Sequence, residues 1–510
     1  MHQFQKYKID EKGNRIPRRY EREAGILLPV SSLPSPYGIG TLGKEAFRFV
    51  DFLKAAGQKC WQVLPVGPTG FGDSPYQSYS TFAGNPYFID LDRLVEEGLL
   101  TQAEAEMPDW GNDPASVDYE KLYDSRISVL QKAFQRGQWE KEEDYQFFCK
   151  ENGEWLEDYS LFMALKYHFQ GKEWLDWDES IRNRDPDAVC SYAKQLKNEI
   201  SFWNFCQYQF DRQWNALQQY ARDRQIVMIG DLPIYVALDS ADVWVHHQQF
   251  QLGNNRRPVK VAGVPPDAFS ADGQLWGNPL YRWDVMEKDG FSWWKRRMTF
   301  AAKRYDRVRI DHFIGIVRYF SIPAGEETAV NGTWVQGPGK KLTQAIHQVI
   351  DPSRIIAEDL GVLVKEVSDL RDQMGYPGMR IMQFGFDGNP YNDHYPENYR
   401  ENMLVYGGTH DNETLLGYFT DREKEAQRAM EYLGAETLEE VPFAILEVGY
   451  ASPARLVIFQ AQDLLELPNS ARMNFPSTVG ENWKWRLTPG QLTPQLARRV
   501  KGLVRASGRM

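Results

Sequence analysis

Cysteine and histidine are both scarce in this sequence, and neither is clustered. The four thiols, Cys60, Cys149, Cys190 and Cys206, form no CxxC pair, which argues against a disulfide framework and against a structural zinc site. Eight histidines are spread along the chain without an HxH or HxxxH pair, so the grouped imidazoles of a catalytic metal centre are missing, and neither a metal nor a cofactor is expected. Basic residues do not accumulate either. Against 70 Asp and Glu there are 59 Lys and Arg, a net charge of -11, which disfavours nucleic acid or any other polyphosphate as a partner. No stretch approaches the roughly 18 uncharged apolar residues of a membrane span, and Met1 to Tyr20 lacks an apolar signal segment. No membrane association is expected, and the cytoplasm is the expected location. Phosphate-binding signatures are absent, since there is no GxxxxGK[ST] and the GxG at Gly38 to Gly40 lacks a third glycine. Nucleophilic serine chemistry lacks its GxSxG elbow.

What remains is a globular composition over 510 residues, 42% hydrophobic and 25% charged, with a surplus of aromatics that includes 16 Trp and 26 Tyr. Rings in excess of core needs can line a groove for a ligand with flat apolar faces. Eight short apolar runs end in polar, Gly or Pro residues: Gly25 to Leu28, Lys59 to Leu64, Ile226 to Ile229, Arg307 to Ile310, Arg354 to Ala357, Met379 to Met382, Met403 to Tyr406, and Leu456 to Phe459. Amphipathic segments fall between most of them, at Lys44 to Ala56, Phe202 to Arg222, Trp293 to Lys303, Lys341 to Val349, Val364 to Met374 and Arg422 to Tyr432. This alternation predicts an α/β chain whose eight units close as a (β/α)8 TIM barrel. Two intervals are too long for simple crossovers. They are read as large, mainly helical insertions at about 65–205 and 232–292, forming subdomains over the C-terminal face of a single catalytic barrel, with 1–23 as an N-terminal extension.

Four of the runs lead straight into acids: Asp231, Asp311, Glu358, and Asp411 after Gly407-Gly408-Thr409-His410. A lone Asp after a strand is as readily a helix cap or a turn residue. Four acids converging on one barrel mouth repel each other, an arrangement that persists mainly where a cation or carboxylate chemistry uses it. With metal disfavoured, glycoside chemistry by a carboxylate pair is the leading reading. Arg309 points to the same side of a strand as Asp311, and a neighbouring cation favours an ionised nucleophile. Glu358 follows Ile355-Ile356-Ala357, where burial would keep it protonated as an acid, although the adjacent Asp359 leaves open which of the two faces the site.

The blocks Arg309-Ile310-Asp311-His312-Phe313, Ala357-Glu358-Asp359-Leu360-Gly361 and Gly408-Thr409-His410-Asp411-Asn412-Glu413-Thr414 resemble the catalytic blocks of the amylomaltase family, bacterial 4-alpha-glucanotransferases related to the alpha-amylases. Further blocks match in order, among them Ser74-Pro75-Tyr76-Gln77, Gly230-Asp231-Leu232-Pro233, Gly263-Val264-Pro265-Pro266-Asp267, Trp276-Gly277-Asn278-Pro279 and Ala471-Arg472-Met473-Asn474. The resemblance implies Asp311 as nucleophile, Glu358 as general acid and base, and Asp411 as the carboxylate that holds the sugar hydroxyls in the transition state. Arg309 and His410 would support the same sugar, Tyr76 would lie beneath it, and Ser74, Asp231, Asp387 and Asn474 would be hydrogen-bonding neighbours. Gln274 and Trp276 would stand over the acceptor groove. The implied partners are an alpha-1,4-glucan donor and a glucose or maltooligosaccharide acceptor. Phe475-Pro476-Ser477-Thr478 lacks the glycine expected before Thr478, and Gly480-Glu481-Asn482 is slightly altered. An amylase-type hydrolase would use the same acids, and an inactive glucan-binding protein could keep them, so spacing alone leaves those alternatives open.

Overall fold

In a computed structural model of the chain, the structure describes residues 7–9, 15–17, 20–70, 72–266, 270–361 and 364–510. Most of the expected N-terminal extension lies outside these residues, as does Asp267; of the extension, the strands Tyr7–Ile9 and Arg15–Pro17 pair antiparallel.

Eight parallel strands are present: β1 (Glu23–Leu27), β2 (Cys60–Gln62), β3 (Val227–Pro233), β4 (Arg307–Asp311), β5 (Ile355–Ala357), β6 (Gly378–Ile381), β7 (Met403–Tyr406) and β8 (Leu456–Gln460). They lie in the order β5-β4-β3-β2-β1-β8-β7-β6, which leaves one seam, between β5 and β6. There the Ala357 N–H reaches the Pro377 carbonyl at 3.4 Å, so the sheet curls almost to closure as a TIM barrel. Parallel strands covered on both faces read as near-continuous apolar runs, and β7 and β8 are accordingly buried at every position. The helix Lys44–Ala55 turns Ala46, Phe49, Val50 and Leu53 inward at helical spacing. Two barrel helices escaped the sequence pattern. Val441–Ala451 is apolar nearly all round and so shows no period, while Pro494–Ala506, capped by the Thr493 side chain, follows the last strand. Beyond it the buried Arg509 donates to the carbonyls of Tyr450 (2.6 Å), Ala454 (2.8 Å) and Glu23 (3.0 Å), fastening the β1–β8 junction.

The segment between β2 and β3 is helical, and its helices Glu143–His168 and Lys197–Asp223 pack side by side. The second is 27 residues long, about 40 Å at 1.5 Å per residue. It runs without a break from the insertion into the crossover before β3, so a boundary near 205 falls inside it. The segment after β3 holds a feature that the local pattern did not reveal. Strands Lys260–Val264 and Gln274–Pro279 join Arg318–Pro323 and Thr333–Gln336, from the loop after β4, in a four-stranded antiparallel sheet. Gly263 sits at a register shift, where a Cβ would lie 2.2 Å from the Gln274 carbonyl oxygen.

Candidate active site

The acids that end the strands meet at the C-terminal mouth. Asp231 on β3 pairs in register with Arg309 on β4. The guanidinium Nη1 donates to both Asp231 oxygens at 2.7 Å and to Asp311 Oδ1 at 2.8 Å. Burial works against the Arg309 charge, but Asp231 and Asp311 outweigh it and hold the guanidinium well above its usual range. Tyr76 donates its hydroxyl to Asp231 Oδ2 at 2.9 Å, so a single buried carboxylate fixes both a strand arginine and a loop tyrosine.

β5 lies beside β4, and the Glu358 N–H bonds to the Ile310 carbonyl at 3.0 Å, which places Glu358 next to Asp311. Its carboxyl accepts the backbone N–H groups of His312 (2.7 Å) and Leu360 (2.6 Å). His312 adopts a left-handed φ of 53°, which costs a non-glycine residue roughly 1–2 kcal/mol and turns its N–H toward Glu358. Those two donors and Arg309 favour the carboxylate, but burial and the charge of Asp311 prevail and push Glu358 up to about 8. Asp359 faces elsewhere, ion-paired with Arg371 and accepting the Met379 N–H. Asp411, after β7, is the most open of the three acids, its side chain 47% exposed. Asn474 donates to its Oδ1 at 2.6 Å, and Arg472 holds its backbone carbonyl at 2.7 Å.

A cleft of about 430 Å³ opens here, and its walls include Ser74, Tyr76, Asp311, His410, Asp411 and Asn474 together with Gln274 and Trp276. The His410 ring stacks on Tyr76 with centroids 5.1 Å apart and planes 15° apart. Gln274 and Trp276 arrive on the antiparallel sheet, where the indole N–H donates to Gln274 Oε1 at 3.1 Å and the ring meets His312 edge-on.

Three of the expected substrate-binding residues lie outside the cleft walls. The Asp231 side chain is 0% exposed and that of Arg309 only 4%, and the two are bonded to each other, with Asp231 also holding Tyr76 and Arg309 also holding Asp311. Asp387 is exposed and outside the cleft walls; its carboxylate accepts the Asn389 N–H of its own turn at 2.8 Å. Sequence reasoning also missed residues that the cleft uses. Trp483 lines it and packs against Tyr76 and His410, and Gln77 bridges to Asn278 at 3.1 Å. For Trp483 the only signal was the aromatic surplus, because its polar neighbours read as an ordinary loop.

With this geometry in hand, comparison with known proteins is decisive, since a family model described as 4-alpha-glucanotransferase matches residues 28–493. The chain belongs to the 4-alpha-glucanotransferase family. It is 44% identical to the family member of Clostridium butyricum, over 94% of this chain and 99% of that one. With the Thermus thermophilus 4-alpha-glucanotransferase the figures are 46%, 97% and 100%. Among solved structures, the amylomaltase from Streptococcus agalactiae in complex with acarbose superposes with a TM-score of 0.93 at 40% identity, over 96% of this chain and 100% of the other. The family match extends through the cleft walls from Ser74 to Trp483.

Proposed function

We propose that the chain acts as a 4-alpha-glucanotransferase on alpha-1,4-glucans by a double displacement in which Asp311 and Glu358 divide the work. Asp311 attacks the anomeric carbon while the glycosidic C–O bond breaks, and the Glu358 proton passes to the departing 4-oxygen. An acceptor 4-hydroxyl then gives its proton to Glu358 as its oxygen attacks the anomeric carbon and releases Asp311. The observation that carries this assignment is the contrast between neighbours. Asp311 is partly open and ion-paired with Arg309, whereas Glu358 is buried and held up near 8, the pattern of a nucleophile beside an acid. Asp411, steadied by Asn474, is suited to bind sugar hydroxyls, and Tyr76 under His410 offers a flat floor to the ring. The donor is an alpha-1,4-glucan and the acceptor glucose or a maltooligosaccharide. Four unpaired cysteines fit work in a reducing compartment such as the cytoplasm. Among the described residues no helix is long and apolar enough to cross a membrane.

Incubation with maltotriose tests the reading. Free glucose and a ladder of longer maltodextrins should form with little net gain in reducing ends, whereas a steady rise in reducing ends without longer products would mark a hydrolase.

A further inference from the structure

A larger cavity lies apart from the catalytic cleft. It encloses about 580 Å³, within the roughly 300–1,000 Å³ typical of small-molecule sites, and shares no lining residue with the cleft. One wall is the insertion helix Glu143–His168 and another the crossover helix Ser292–Arg304, with the short helix Ala241–Val245 between them.

The aromatic floor consists of Trp155, Phe82 and Phe300. Phe82 and Trp155 lie nearly parallel, their planes 24° apart, and Phe300 stands edge-on to both. The Trp155 indole N–H is already committed to Asn152 Oδ1 at 3.2 Å, so what the ring offers a ligand is a face. The rim carries both signs of charge. Glu151, Lys295 and Lys303 line the cavity and make no side-chain hydrogen bond or ion pair among the described residues, while Arg296 and Glu154 pair across it at 2.5 Å. An anion would meet Glu151 and Glu154, and a cation would meet Lys295 and Lys303. A neutral polyol meets neither penalty: its hydroxyls both donate and accept, and the apolar face of a sugar ring stacks on an aromatic plane.

Resting on the transferase reading for the identity of the sugar, we propose that this cavity is a second binding site for a short alpha-1,4-glucan segment, separate from the one that reacts. It is tied to the reaction centre by a short polar path. Asp242 in the cavity wall accepts the Thr81 N–H (2.8 Å), Thr81 Oγ1 accepts from Arg297 Nε (2.7 Å), and Arg297 donates to the carbonyl of Pro233 (2.5 Å), the residue in register with Asp311.

The test is calorimetric titration with maltotetraose of the full chain carrying Asp311→Asn, which removes the proposed nucleophile so that the sugar stays intact. Two sites per chain are expected. Adding Thr299→Trp, which fills the cavity from the crossover helix, should leave one site, and so should adding Trp155→Ala, which removes the platform. In the chain with Asp311 restored, Thr299→Trp should leave the initial rate of maltotriose disproportionation within about twofold, which separates this site from the catalytic one. A single site before the cavity is filled, or two sites after it is filled in chains that remain folded by circular dichroism, would overturn the proposal. So would binding of sulfate in place of the sugar. None of these results would bear on whether maltotriose is disproportionated.

Discussion

At the scale of single residues, one proton and one ion pair govern the site. On the proposed mechanism Glu358 must be protonated to assist departure, and its upward shift to about 8 means that the free enzyme keeps that proton through neutral pH and loses it above. The kcat/KM profile should therefore fall on the alkaline side with a midpoint near pH 8, and a profile still flat at pH 9.5 would contradict the assignment. Glu358→Gln should lose glucan transfer by several orders of magnitude yet still accept alpha-glucosyl fluoride, whose leaving group needs little protonation. Asp311→Asn should be inert toward both. Equal loss of both reactions in the two variants would deny them separate roles. Asp231 makes a different kind of contribution. Removing it leaves Arg309 buried with only Asp311 for a partner, so Asp231→Ala should cost about 3 to 5 kcal/mol of stability in denaturant unfolding, and it should also free the Tyr76 hydroxyl. A loss of activity at unchanged stability would instead mean that Asp231 touches substrate directly.

Among the elements, the four-stranded sheet is the one that, on the proposed mechanism, would decide how well water is kept from the glucosyl-enzyme. It delivers Trp276 to the cleft, with the ring against His312 beside Asp311, and positioning an acceptor there can supply effective molarities of about 10⁵ M or more, against about 55 M for bulk water. Trp276→Ala should raise the ratio of reducing ends to longer products at least several-fold. Gly263→Val should do the same from a distance, because a side chain at the register shift collides with the Gln274 backbone. An unchanged product ratio in both variants would show that this sheet does not guard the acceptor side. The sheet is also where sequence reading stopped. Each of the eight barrel strands was visible as an apolar run, and the acids were visible because they directly follow those runs. Strands such as Lys260–Val264 and Thr333–Gln336 are short and partly exposed, and both pair with Arg318–Pro323, which lies about 60 residues beyond the first, so no local period announces them. The place of Asp387 outside the cleft walls has a related reason: a motif can number a residue, but its exposure depends on how the turn after β6 folds. Trp483 was hidden for the opposite cause, a ligand-facing ring set in a stretch with the composition of a loop.

For the whole molecule, the feature with the widest reach is the neighbour relation between β1 and β8. β1 pairs with β2 about 35 residues further on, but its other edge waits for β8, which begins at Leu456, and for Arg509 to lock the junction. During synthesis at about 5 to 20 residues per second, that second edge is open for roughly 20 to 90 s. Barrel closure therefore waits for β8 and Arg509 to be made, and a ribosome-bound chain stalled before Leu456 should be cut readily by protease near β1 and β2. Release of a chain that includes β8 and Arg509 should bring resistance. Through all the intervening time an unpaired strand edge is presented to solvent, so the yield of folded enzyme should depend on how fast the chain is translated and on how many holding chaperones are free, even under conditions in which the finished barrel is fully stable.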